Sequence, residues 1–479
     1  MSKLSNRIRK LIFALAGILV CGAFYFLPAP DSLDACATAV GSTGITAMRV
    51  LGAILLAIIW WIGEVLPNWM TAISMLLLWV VLGRIPFTSA FSAYSGSTVW
   101  LVIGAFCLAA TVTKTGLFNR ITLGLFRVFS PAFSQQILAM LLVGTLCAPL
   151  IPSAAAKAVL GATLAQKSAD AMCYPPHSKE RCGLFMAAFI GFCITTPAFM
   201  SGSVFTYSLL GVLSDEARTN VSWLSWLVAM LPWLLILLAT SYVFICLTAT
   251  PKKGTYSITR GYAKEEFAKL GKMSSAEKKS ALLLAAAVLL WISENILKID
   301  ACATAMGVTV LCFALKLLDN KEISTAVPWA LVLHIGGVVA LGSILPIVGL
   351  DKWIQGLMTP VFENVATPVT AILTIFLLVL LARVVMVSQN AVVVMMVALL
   401  PPLLSAAGMG EWAIGLVVLA TETCWILPFQ NTVFISALSC TEGTLAHKQT
   451  IKYSLWYELF SLLAFLISIR YWRFLGLIG

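Results

Sequence analysis

The sequence predicts an all-α polytopic membrane protein built from two inverted repeats, and three observations predict it. Apolar stretches long enough to cross a bilayer as helices, about 20 residues each, recur from one end of the chain to the other. Only 11% of the 479 residues are charged against 60% hydrophobic, with a mean hydropathy of +0.98. A water-soluble chain carries about a quarter charged residues, so lipid must solvate much of this one. Short motifs also recur in the same order at a nearly constant offset between the two halves.

The expected spans are 11–28, 48–66, 69–84, 97–115, 184–212, 222–249, 281–297, 302–318, 327–346, 411–438 and 452–470. The first is too long and continuous for a cleaved signal and is read as a retained helix. Two further apolar stretches, 136–170 and 366–404, are interrupted, the first around Leu150-Ile151-Pro152-Ser153 and the second around Ser388-Gln389-Asn390. They read as re-entrant hairpins.

The net charge of +11 is topological rather than a footprint for nucleic acid. Lys3, Arg7, Arg9 and Lys10 precede the first span, and Lys252, Lys253, Arg260, Lys264, Lys269, Lys272, Lys278 and Lys279 crowd one loop, which marks both as cytoplasmic. The chain then starts inside, and the acidic segment around Asp31 and Asp34 lies outside. The first hairpin enters from the cytoplasm and the second from the opposite face, leaving the carboxyl terminus external. Arg470 and Arg473 are the one dissonant note in that count.

Trp61-Ile62-Gly63-Glu64 is echoed by Trp291-Ile292-Ser293-Glu294, Gly116-Leu117 by Gly349-Leu350, and Pro197 with Val204-Phe205 by Pro428 with Val433-Phe434. An odd number of crossings per half inverts such a repeat in the membrane, an architecture of secondary transporters. The chain accordingly divides into an N-terminal helix and external loop (1–45), a first repeat (46–250), a basic cytoplasmic linker (251–280) and a second repeat (281–479).

In such folds, ligands sit where helices break near the midplane, because free N–H groups suit carboxylates and unwound carbonyls suit sodium. Four breaks qualify: Ser153-Ala154-Ala155 through Lys157, Thr195-Thr196-Pro197 through Ser201-Gly202-Ser203, Ser388-Gln389-Asn390, and Pro428 through Gln430-Asn431-Thr432. The candidate substrate-binding residues are therefore Ser153, Ala154, Ala155, Lys157, Gly202, Ser203, Ser388, Gln389, Asn390, Gln430, Asn431 and Thr432. Sodium, where bound, falls to Ser153, Ser201, Gly202, Ser388 and Asn390. Lys157, Arg383 and His334 are membrane-embedded groups that could compensate charge or couple transport to protons. Arg383 is placed either to approach an anion or to pair with Glu422, and Lys114 to snorkel from the end of its span.

Through Trp60-Trp61-Ile62-Gly63-Glu64-Val65-Leu66-Pro67 the chain resembles the divalent anion–sodium symporter family of di- and tricarboxylate transporters. The resemblance implies 11 spans with two opposed hairpins, a homodimer in the plasma membrane, and an elevator motion carrying small carboxylate anions. That family's tips carry Ser-Asn-Thr motifs. Here the first tip keeps only Ser153, so asparagine and threonine ligands are absent from it, and the second is matched by Ser388-Gln389-Asn390. In the family's exchanger branch the first motif is followed by Ala-Arg, which Ala156-Lys157 matches. This implies anion exchange, with sodium- or proton-coupled symport the alternative. A membrane enzyme is disfavoured. His177, His334 and His447 are far apart, no catalytic, nucleotide-binding or metal motif occurs, and no cofactor is implied.

Overall fold

The computed structural model describes residues 3–219, 221–251, 262–362, 365–386 and 388–479. Lys252, Lys253 and Arg260 of the basic loop lie outside the described residues. After α1 (Lys3–Phe26), and leaving short helical turns aside, one succession of helices occurs twice. The first comprises α2 (Gly44–Gly63), α3 (Asn68–Val81), α4 (Ser97–Lys114), α5 (Leu117–Phe126), α6 (Phe133–Cys147), α7 (Ala154–Ala171), α8 (Lys179–Phe189), α9 (Val204–Val212) and α10 (Trp223–Ala249). A linker helix, α11 (Tyr262–Lys269), follows. The second comprises α12 (Ser275–Ile292), α13 (Ala301–Ala314), α14 (Trp329–Ile347), α15 (Leu350–Phe362), α16 (Pro368–Val385), α17 (Gln389–Leu403), α18 (Glu411–Thr421), α19 (Thr432–Ser439) and α20 (Ile451–Phe474).

Among the described residues, 9 helices are long and apolar enough to cross a membrane, while α3 and α13 are shorter apolar helices. The expected spans 184–212 and 411–438 are not continuous helices. The first runs as α8, a wide turn at Ile190–Ile194 and a tight turn at Thr196–Ala198 before α9. Pro197, in the tight turn, has no N–H to add to a helical ladder. The Thr195 and Thr196 hydroxyls donate to the Gly191 and Cys193 carbonyls at 2.7 Å each, and Trp226 Nε1 donates to the Pro197 carbonyl at 2.9 Å. The freed backbone is thereby satisfied inside protein, as it must be away from water. The amphipathic helices α5 and α15, which begin after positive-φ Gly116 and Gly349, were not expected as elements.

Small residues let the two successions cross closely. A Cβ on Gly104 of α4 would lie 2.7 Å from the Ala305 Cβ of α13, and one on Gly337 of α14 would lie 2.8 Å from the Ala72 Cβ of α3. These contacts relate equivalent helices in reverse. The pairs α7 with α19 and α9 with α17 are related in the same way. Helices α10 and α20 pack along each other, joined by Trp233 Nε1 donating to Ser461 Oγ at 2.6 Å. The linker is latched to α5, where Arg120 pairs with Glu277 at 2.7 Å and donates to the Gly271 carbonyl at 2.9 Å. The Arg127 guanidinium lies 3.9 Å from the Phe267 ring centroid.

Candidate transport site

Four helices begin at the four breaks, and a side chain caps each of them. Ser153 Oγ accepts from the Ala156 N–H of α7 at 3.3 Å, and Ser388 Oγ from the Ala391 N–H of α17 at 3.3 Å. Ser203 Oγ accepts from the Thr206 N–H of α9 at 3.3 Å, and Asn431 Oδ1 from the Phe434 N–H of α19 at 2.9 Å. Ala154, Ser203, Gln389 and Asn431, each a cap or the first residue of one of these helices, line one small void of about 20 Å³ together with Thr196, Phe205, Glu422 and Thr423. Four helix N-termini thus converge, and their partial positive charges favour an anion there.

The void adjoins two larger cavities. One, of about 450 Å³, lies between Ser153 and Ala156 of the first tip and the Phe106–Lys114 end of α4, with Leu318, Glu322 and Pro328 opposite. The other, of about 430 Å³, lies between Ser388, Gln389, Asn390 and Thr432 on one side and Glu64, Asn68, Trp69, Leu331 and His334 on the other. The buried Asn390 amide lines this second cavity, and neither of its side-chain atoms has a hydrogen-bond partner among the described residues.

Lys157 is neither at a tip nor directed to an interface. It sits in the first turn of α7, fully buried, and Nζ donates to the Ala148 carbonyl at 3.0 Å and the Gly202 carbonyl at 2.6 Å. The Lys157 amino group thus sits on two main-chain oxygens, beside the void, at a place where unwound carbonyls would suit sodium. Gly202 is required there, because a Cβ would come within 2.4 Å of the Thr196 carbonyl oxygen. Ser201 is already engaged, donating to the Pro149 carbonyl at 2.9 Å and accepting from Trp223 Nε1 at 3.1 Å.

Around the second tip, Arg383 is fully buried and donates through NH1 to the Met386 carbonyl at 2.8 Å. Gln389 Nε2 donates to Glu422 Oε2 at 3.0 Å, and Asn68 Nδ2 to Ser388 Oγ at 3.2 Å. Asn431 Nδ2 donates to the Thr423 carbonyl at 3.0 Å. Gln430 is turned away from the void: its amide accepts from the Leu427 N–H at 2.8 Å and donates to the Arg383 carbonyl at 3.3 Å. Ala155 is exposed. His334 meets the Trp61 ring edge-on, with centroids 5.7 Å apart. Lys114, expected to snorkel, is paired with Glu322 at 2.7 Å.

Sequence reading missed Phe205, which lines both the void and the 430 Å³ cavity, and Glu458, buried on α20. The signal for Glu458 was present. It is the one acidic residue in the apolar span 452–470, where a charge is rarely idle.

A family model described as the sodium:sulfate symporter transmembrane region matches residues 6–478. A putative malate transporter of Bacillus subtilis is 25% identical over 360 residues, 73% of this chain and 72% of that protein. The L-tartrate/succinate antiporter of Escherichia coli is 25% identical over 286 residues, 56% of each chain. Among solved structures, the YdaH transporter of Alcanivorax borkumensis shares the fold, with a TM-score of 0.52 at 14% identity over 81% of this chain and 88% of that one.

Proposed function

Because the chain belongs to the sodium:sulfate symporter family, and so is a multi-pass membrane transporter, we propose that it exchanges small di- and tricarboxylate anions by alternating access. The observation that carries this reading is the Lys157 ammonium on the Ala148 and Gly202 carbonyls, beside four converging helix N-termini. A carrier for anions needs a countercharge at its site. Where a symporter brings sodium, an ammonium held on the Ala148 and Gly202 carbonyls supplies it from the chain itself. Such a carrier returns more easily with another anion than empty, which is exchange. The malate and tartrate/succinate relatives are consistent with dicarboxylates as that anion.

Alternating access is supported by an asymmetry between the ends of the helices. The 450 Å³ cavity is lined by the end of α4 and residues 318–328, and the 430 Å³ cavity by the α2–α3 junction and residues 330–334. Arg9 pairs with Glu64 at 3.6 Å and Lys114 with Glu322, so these ends share the level of the basic N-terminal flank. In the orientation set by the basic flanks, both tips are reached from the cytoplasm. At the other end α9 packs closely on its neighbours. A Cβ on Gly211 of α9 would lie 2.0 Å from Val339 Cγ2 of α14, and the Ser214 N–H donates to Glu411 at 3.0 Å. This is an inward-facing state, and the helix pairs α7–α19 and α9–α17 form the unit that would move as an elevator within a homodimer in the plasma membrane.

A thermal-shift screen of purified protein against succinate, L-malate, L-tartrate, citrate and sulfate, with and without sodium, tests the reading. A ligand at 100-fold its Kd stabilises the folded state by about 2.7 kcal/mol. Carboxylates should stabilise equally in sodium-free buffer. Stabilisation by sulfate alone, or by carboxylates only with sodium, contradicts it.

A further inference from the structure

We propose that Glu422 and Glu458 form a proton-binding pair that takes up one proton as the anion binds, so that a proton travels with the anion. The proposal rests on the carboxylate reading above and concerns its coupling. Glu422 ends α18 with its carboxyl fully buried, and it lines the central void between the tips. Glu458, 7% exposed, projects from α20 next to Tyr457, whose hydroxyl bonds Thr423 Oγ1 and the Ala420 carbonyl on either side of Glu422. Gln389 donates to one Glu422 oxygen at 3.0 Å. The other Glu422 oxygen and both Glu458 oxygens have no hydrogen-bond partner among the described residues.

The charges around this pair can be accounted for element by element. Helix α16 contributes Arg383 and α17 contributes neutral Gln389. The segment after α18 contributes Cys424, and α20 itself contributes Tyr457, whose hydroxyl hydrogen-bonds Thr423. Helix α10, packed along α20, has no Asp, Glu, Lys, Arg or His. At the start of α20, His447 is held against the Trp425 carbonyl at 3.0 Å, with Lys448 beside it. One guanidinium therefore faces two carboxyls, and the Lys157 amino group beside the void is taken up by the Ala148 and Gly202 carbonyls. A second carboxylate, buried and without donors, is far more costly than a carboxylic acid. The pair therefore titrates as a unit around one exchangeable proton.

Gln389 joins this pair to the transported anion, because it lines both the void and the 430 Å³ cavity. A dianion arriving there adds negative charge beside Glu422 and tightens the pair's hold on a proton. By linkage, protonation tightens the anion in return. The proton binds a carboxylate oxygen, making the O–H of a carboxylic acid, from the side to which the cavity is open. It leaves from the same oxygen when the anion departs on the other side.

The test is anion binding by the purified full-length chain, with L-tartrate as probe between about pH 6 and pH 8, where both its carboxyls are ionised. Calorimetry in two buffers of different protonation heat counts the protons taken up per tartrate in the unaltered protein. Tartrate affinity should rise about tenfold for each unit of falling pH while one proton is taken up. Glu458→Gln, a permanent mimic of the protonated acid, should bind tartrate with little dependence on pH. Glu422→Gln provides the same readout should Glu458→Gln not fold. Tartrate binding without proton uptake in the unaltered protein overturns the proposal alone. An undiminished pH slope in both variants also overturns it. No binding of any dicarboxylate at any pH overturns the carboxylate reading and the proposal together.

Discussion

Replacing Lys157 by alanine perturbs the site at its most defined point. The side chain is fully buried, and its ammonium makes two charge-assisted hydrogen bonds, at 3.0 and 2.6 Å. Each such bond contributes about 1.5–3 kcal/mol, and losing it leaves a buried carbonyl without a donor. Losing both bonds together costs about 3 kcal/mol or more, a large share of a typical stability. The truncation also opens a space beside the Ala148 and Gly202 carbonyls. If the ammonium sits where a sodium ion would, a small cation can enter that space and restore part of the loss, about 2.7 kcal/mol at 100-fold its Kd. The assay is paired: thermal unfolding in detergent and anion counterflow in liposomes, each in sodium and in choline. Lys157→Ala should be markedly destabilised and inactive in choline, and partly rescued on both counts by sodium. A variant as stable and as active as the parent in choline would refute the reasoning. So would a loss that sodium leaves untouched while the fold is intact.

Other expectations follow from single contacts. Gly211→Ala places a methyl 2.0 Å from Val339 Cγ2, so it should cost about 1–3 kcal/mol of stability, measured by thermal unfolding, and weaken closure of the outer end. Asn431→Ala removes both the α19 cap and the bond to the Thr423 carbonyl, at a cost of about 1–2 kcal/mol, and should weaken anion binding in the same thermal-shift assay. Arg120 and the Ser274 N–H hold the Glu277 carboxyl below the usual glutamate value. That contribution is complete above the unfolded value of about 4.3 and is lost as pH falls through the folded one. Hydrogen exchange in 262–274 should therefore quicken below about pH 4, and Glu277→Gln should quicken it already at neutral pH. Ser153→Cys should react with a membrane-impermeant thiol reagent from the cytoplasmic face and not from outside, because the 450 Å³ cavity opens beside Lys114.

Much of this architecture was legible because bilayer solvation leaves a strong mark. The long apolar stretches, their basic flanks and the interrupted hairpins follow from what water and lipid each tolerate. The four breaks were legible for a related reason. Pro197 and Pro428 interrupt the helical ladder, and the Ser, Thr and Asn residues beside them favour caps and turns, so they stood out within apolar runs. What the sequence could not convey was where the side chains at those breaks go. Gln430 and Asn431 are adjacent and chemically similar, yet only Asn431 faces the void, because one residue of phase at a helix start decides it. Lys157 reads as a charge near a tip, but its burial depends on the Gly202 carbonyl, 45 residues away, folding back over it. Helices α5 and α15 escaped because amphipathic segments of 10 and 13 residues lack the length of a span. Glu458 stood out as a lone acid in an apolar run, but its place near the end of α18 comes only from the packing of α18 against α20.

The central claim is that this family member exchanges carboxylates around a fixed cation. Counterflow in liposomes containing the purified full-length protein addresses it most directly. Vesicles loaded with unlabelled L-tartrate or succinate are diluted into labelled succinate, in medium freed of sodium on both sides. The account predicts transient accumulation of label that requires internal anion and does not change when sodium is added. Uptake that is silent without sodium and begins when sodium is supplied would contradict it.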